Sequence, residues 1–64
     1  MKLNGENRPL EEPVSLIAYL TALGCDPAKL AVEQNGQIVP KAQYASVVLK
    51  DTDELEVVSF VGGG

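Results

Sequence analysis

Pro13-Val14-Ser15-Leu16-Ile17-Ala18-Tyr19-Leu20-Thr21-Ala22-Leu23-Gly24 is the one stretch of this chain with a helical period, and its reading decides the fold. Leu16, Ile17, Leu20 and Leu23 recur at i, i+1, i+4 and i+7 and share one face, while Ser15, Ala18, Thr21 and Ala22 fall opposite. Pro13 suits the first helical turn, where its missing N–H costs nothing. Gly24 suits the position just past the end, where a left-handed residue closes a helix. Asp26-Pro27 can start one further turn, with Asp26 as its cap.

On both sides of this segment the period shortens to that of strands. Asn4-Gly5 is a tight-turn signal, since both residues accept positive φ, and it separates a strand at Met1–Leu3 from one at about Arg8–Glu11. After the helix, Leu30–Gln34 and Gln37–Val39 flank a second Asn-Gly turn at Asn35-Gly36, and Pro40 stops the returning strand. Lys41–Ser46 is an irregular or short helical connection, Val47-Val48-Leu49 a short apolar run, and Lys50-Asp51-Thr52-Asp53 a polar turn. The last strand runs over Glu54–Val61. Leu55 and Val57 point one way and Glu54 and Glu56 the other; further on, Val58 and Phe60 take the side that held the glutamates. That leaves an apolar patch, or else a bulge re-aims the strand. The order β-β-α-β-β-β buries one apolar helix face economically against one mixed sheet. The fold class is α+β with a β-grasp layout: four or five strands, one main helix packed across them, and the first and last strands as parallel neighbours in the middle.

The chain has 64 residues, room for one domain, placed at residues 1–61 with residues 62–64 as a glycine tail. About a dozen buried apolar side chains can stabilise such a fold but leave little to wall a ligand pocket of ~300 Å³ or more. Nine acidic residues oppose five basic ones for a formal charge of −4, and the basic residues are scattered, so nucleic acid is a poor candidate partner. A partner with a basic docking surface fits better, although a charge of this size is also an ordinary aid to solubility, which alone suffices to explain it. Cys25 is the single cysteine, so no intramolecular disulfide forms and an intracellular, cytoplasmic location is expected. No apolar run approaches a membrane span, and Met1–Gly5 has no secretory h-region.

Gly62-Gly63-Gly64 follow directly on Val57-Val58-Ser59-Phe60-Val61. Without Cβ atoms, such a stalk can thread a channel that other residues cannot. Three extended residues reach roughly 10 Å. The functional reading is a reactive carboxylate delivered into a neighbour's active site; the plain alternative is a frayed, inert terminus.

Catalytic chemistry is otherwise missing. There is no histidine, no metal-ligand spacing and no phosphate-binding glycine loop, so no metal, bound cofactor or catalytic residue is expected. Glu11-Glu12 and Asp51/Asp53 sit beside turns or a helix start, where carboxylates cap and are solvated. Cys25 has no cation cluster to activate it and reads as a partly buried, inert thiol. Tyr19 and Tyr44 read as packing residues with their hydroxyls near water.

Met1-Lys2-Leu3-Asn4-Gly5-Glu6, Val32-Glu33-Gln34-Asn35-Gly36-Gln37-Ile38-Val39-Pro40, Lys41-Ala42-Gln43-Tyr44, Asp51-Thr52-Asp53-Glu54-Leu55-Glu56-Val57-Val58 and Phe60-Val61-Gly62-Gly63-Gly64 together resemble the ThiS family, the ubiquitin-like sulfur carriers of thiamine biosynthesis. From Pro13 to Leu30 only the apolar spacing matches. The resemblance implies a cosubstrate and not an enzyme. A ubiquitin-activating-like adenylyltransferase would use ATP to adenylate the carboxylate of Gly64, with Gly63 its required neighbour. A cysteine-desulfurase persulfide would supply sulfur, and a thiazole synthase would accept it from the resulting thiocarboxylate. Val58 and Phe60 are then the expected docking patch for the activating enzyme and the thiazole synthase. Two alternatives stand beside this reading. One is a sulfur carrier for molybdopterin synthesis, which tends to be longer and to approach its glycines through proline. The other is a β-grasp interaction module with inert glycines.

Overall fold

The computed structural model describes residues 1–59. The strands are β1 (Lys2–Leu3), β2 (Glu6–Asn7), β3 (Val14–Ser15), β4 (Leu30–Gln34), β5 (Gln37–Ile38), β6 (Val48–Leu49) and β7 (Glu54–Ser59), with one α-helix, α1 (Leu16–Ala22), and 3₁₀ turns at Pro27–Lys29 and Lys41–Gln43. Five strands form a mixed sheet in the order β2-β1-β7-β4-β5, and β3 and β6 pair separately as a small second sheet. β1 and β7 are parallel neighbours, with Lys2 opposite Glu54 and Leu3 opposite Leu55; every other pairing is antiparallel. This is the expected β-grasp layout.

Both Asn-Gly pairs form two-residue hairpin turns with positive φ at each central residue: Asn4 51° and Gly5 82°, Asn35 53° and Gly36 83°. These values mark type I′ turns, whose twist matches that of the flanking strands. The asparagine side chains do a second job. Asn4 accepts the Val57 N–H (2.8 Å) and donates to the Val57 carbonyl (3.2 Å), so its side chain continues the β1–β7 contact beyond the last paired residues, Leu3 and Leu55. On the other edge of β7, Asn35 Oδ1 accepts the Glu54 N–H at 2.9 Å. The central strand is thus pinned by one asparagine at each of its two hairpin neighbours.

Several boundaries differ from the sequence reading, and the small β3–β6 sheet was not expected. The second strand is Glu6–Asn7, immediately after the turn, and not Arg8–Glu11; a two-residue turn fixes the pairing of Leu3 with Glu6. The helix starts at Leu16, because Ser15 is its N-cap and accepts the Ala18 N–H at 3.0 Å, while Val14 and Ser15 pair with Leu49 and Val48. Pro13 therefore precedes a strand and not a helical turn. At the other end the Gly24 N–H donates to the Thr21 carbonyl and the Cys25 N–H to the Leu20 carbonyl, with Gly24 at φ 81°. This pair of bonds is a Schellman closure. It makes Leu23 the C-cap, 42% exposed, and removes it from the buried face on which it was expected.

The core gathers Leu16 and Leu20 from the helix with Leu3, Leu30, Val32 and Leu55 from the sheet, and Met1, Val39, Tyr44 and Leu49 close it. Leu16, Leu20, Leu49 and Leu55 are essentially inaccessible to water, each contributing about 1.5–3 kcal/mol through burial. Tyr44 is a correction: its hydroxyl is buried, away from water, and donates to the Leu30 carbonyl at 3.1 Å. A buried phenol needs such a partner. Tyr19 and Cys25 are partly buried against the core, as the sequence suggests.

Candidate docking face and carrier tail

β7 carries the candidate site because its two faces differ. Leu55 is buried and Val57 is partly buried against the core, whereas Glu54, Glu56 and Val58 lie on the open face of the sheet. The register with β4 is continuous from Gln34–Leu55 to Leu30–Ser59, so no bulge re-aims Val58. Val58 stands opposite Ala31 and is 59% exposed, on the side where the sequence places the docking patch. Phe60 and the tail residues Gly62, Gly63 and Gly64 lie outside the described residues.

The sequence reading missed the residues that complete this face. Ile38 on β5 is 77% exposed and lies opposite Glu33, which in turn lies opposite Glu56. Ala31, Val32, Glu33, Ile38, Glu56 and Val58 together line a shallow groove. A signal for Ile38 exists in the sequence. Ile38 and Val39 are adjacent apolar residues beside a strand turn, and only one of two neighbours can face the core. Val39 is the buried one.

The end of the sheet away from Val58 is held by carboxylates. Asp53, 5% exposed, accepts from Asn35 Nδ2 (3.0 Å), Gln34 Nε2 (3.2 Å) and the Lys50 N–H (2.9 Å). Burial opposes its ionisation, but the bonds from Asn35, the Lys50 N–H and Gln34 outweigh it and hold its carboxyl below the usual range. Asp53 thus caps its turn as expected but is buried, not solvated, and ties the β4–β5 turn to the β6–β7 turn. Asp51 accepts from the Met1 ammonium (2.6 Å) and the Leu10 N–H (2.9 Å). The ammonium's bond and charge, with the Leu10 N–H, likewise lower its pKa. These carboxylates are consumed by the fold. Among the described residues no group of three or more His, Cys, Asp or Glu is placed to hold a metal, and no helix is long and apolar enough to cross a membrane.

A sequence model of the ThiS family matches residues 1–64. The chain belongs to the ThiS family. It is 37% identical to the protein named sulfur carrier protein ThiS of Bacillus subtilis, covering all of this chain and 98% of that one. The crystal structure of the thiamine biosynthesis protein ThiS from Geobacter metallireducens superposes with a TM-score of 0.82 at 27% identity, over 98% of this chain and 96% of that one. A thiazole synthase of Paramagnetospirillum magneticum is 48% identical over 62 residues. This ThiS-family chain spans 19% of that protein and of a second, similar thiazole synthase from Magnetococcus marinus.

Proposed function

We propose that the chain is a sulfur carrier of thiamine biosynthesis that works through the C-terminal carboxylate of Gly64. One observation carries this reading: the family match extends over residues 1–64, from the β-grasp body to Gly64. A carboxylate is a poor acyl donor until one oxygen becomes a good leaving group. In the proposed sequence an adenylyltransferase lets a carboxylate oxygen of Gly64 attack the α-phosphorus of ATP, and pyrophosphate leaves. Sulfur from a cysteine-desulfurase persulfide then displaces AMP at the acyl carbon, and a thiol cleaves the resulting acyl disulfide to leave the thiocarboxylate. A thiazole synthase takes up that sulfur. The chain itself supplies no catalytic group and binds no cofactor in this scheme; ATP belongs to the activating partner. The relatives named thiazole synthase support that enzyme as a partner, since in them a segment like this chain is part of the same polypeptide.

Val58 serves as a docking residue, being apolar, exposed and next to the start of the segment that leads to the tail. Phe60 is assigned the same role from the strand's alternation. Intact mass tests the reading. Incubation with ATP, the activating enzyme and a sulfur source should raise the mass by the difference between sulfur and oxygen. An unchanged mass with an active cognate enzyme would exclude the carrier role and leave a β-grasp interaction module.

A further inference from the structure

Glu33 and Glu56 face each other directly across β4 and β7 on the open side of the sheet. Directly opposed residues of an antiparallel pair hold their Cβ atoms about 4.5–5.5 Å apart, and like charges in that arrangement are unfavourable. Elsewhere on this face Lys2 stands opposite Glu54, but the rung of Glu56, Glu33 and Ile38 contains no basic residue. The ion pairs among the described residues are Met1–Asp51 and Arg8–Glu6, and neither reaches these two carboxylates. The next rung of the same face is Ala31 and Val58, so the repelling pair sits on the edge of the exposed apolar floor.

We propose that the Glu33–Glu56 rung seats one arginine or lysine of the protein that docks on Ala31, Ile38 and Val58. The aliphatic stem of such a side chain can lie over Ile38 and Val58 while its head reaches both carboxylates. A guanidinium suits the pair best, because its planar fork can bond to two carboxylates at once. The occupant is a different protein with a basic face and not a second copy. Apposing two such faces would bring the carboxylates of Glu33, Glu54 and Glu56 of one copy against the same acidic face of the other, between chains that each carry a net charge of −4. The proposal rests on the carrier reading only for the identity of its probe, the activating enzyme encoded by the same genome.

The test is a titration of that enzyme with the intact chain and its variants, beside urea unfolding of each variant. Glu33→Gln and Glu56→Gln should each weaken binding about tenfold at low salt and flatten its salt dependence. Neither should lower the urea midpoint, because each removes an intrachain repulsion. Glu56→Lys should weaken docking further while raising stability, since it creates a cross-strand pair with Glu33. Ile38→Ala should weaken docking and leave the salt dependence unchanged. Gln variants that bind as tightly as the unaltered chain would overturn the proposal, as would affinity lost in step with stability. Self-association in sedimentation that strengthens in the Gln variants would also overturn it, by showing a second copy as the occupant. Failure of the carrier reading looks different: the chain binds its enzyme with the expected charge dependence but never acquires sulfur.

Discussion

At the scale of single residues, Asp53 couples the ends of the sheet to pH. Replacing it with alanine leaves the Lys50 N–H and the amides of Gln34 and Asn35 without their acceptor. These donors are at most partly buried and can turn to water, so Asp53→Ala is expected to lose about 1–2 kcal/mol in urea denaturation. The acid limb follows from the same contacts. The carboxyls of Asp53 and Asp51 ionise more readily in the folded chain than in the unfolded one, so the unfolded chain binds protons more tightly. Their stabilisation is complete above about pH 4, the ordinary carboxylate value, and is lost as pH falls through the lower folded-state values. Urea midpoints measured from pH 6 to pH 2 should fall mainly below about pH 4. That fall should be shallower in Asp53→Asn, and an unchanged slope would show that Asp53 contributes nothing to it. The sequence places Asp53 correctly in a turn but conceals its burial. Local chemistry expects a turn aspartate to be solvated, and only the docking of two turns against each other encloses it.

At the scale of elements, β7 depends on side chains that imitate backbone. Asn4→Ala removes both bonds to Val57 and should cost about 1–2 kcal/mol. Hydrogen exchange at the Val57 amide should accelerate more than at Leu55, and equal acceleration along the strand would instead indicate a general loss of stability. Gly24→Ala places a side chain at φ 81° with no neighbour within 4 Å of the new Cβ, so its cost of about 1 kcal/mol is conformational and not steric. A urea midpoint matching the unaltered chain would contradict the left-handed closure at that residue. Helix, hairpin turns and alternation were legible because each depends on neighbours within a few residues. The helix start was not. Val14 and Ser15 are claimed by pairing with Val48 and Leu49, more than thirty residues away, and no local period reports that pairing.

For the whole molecule, the carrier reading separates folding from function. Deleting Gly63 and Gly64 should abolish activation and leave the melting temperature nearly unchanged, since glycine has no side chain to bury. A large fall in melting temperature would weaken the reading. If the tail enters a narrow channel of an activating enzyme, as the proposed function requires, Gly63→Val should slow turnover more than it weakens docking, because the new Cβ must fit that channel while the folded body is untouched. Steady-state kinetics should show the loss chiefly in kcat, and normal turnover would refute the narrow-channel argument.

The architecture was legible in the sequence alone: one amphipathic helix, two Asn-Gly hairpins and a last strand with one apolar side. The sequence also placed Val58 on the open face. Tertiary structure alone decided what surrounds Val58. Ile38 and Glu33 reach that face through pairing with one another, and Glu33 meets Glu56 only because β4 and β7 share one register. Alternation states which way a side chain points within its own strand. Which residues stand beside it depends on the order and register of the strands, set by burial of Leu16 and Leu20 against residues distant in the chain.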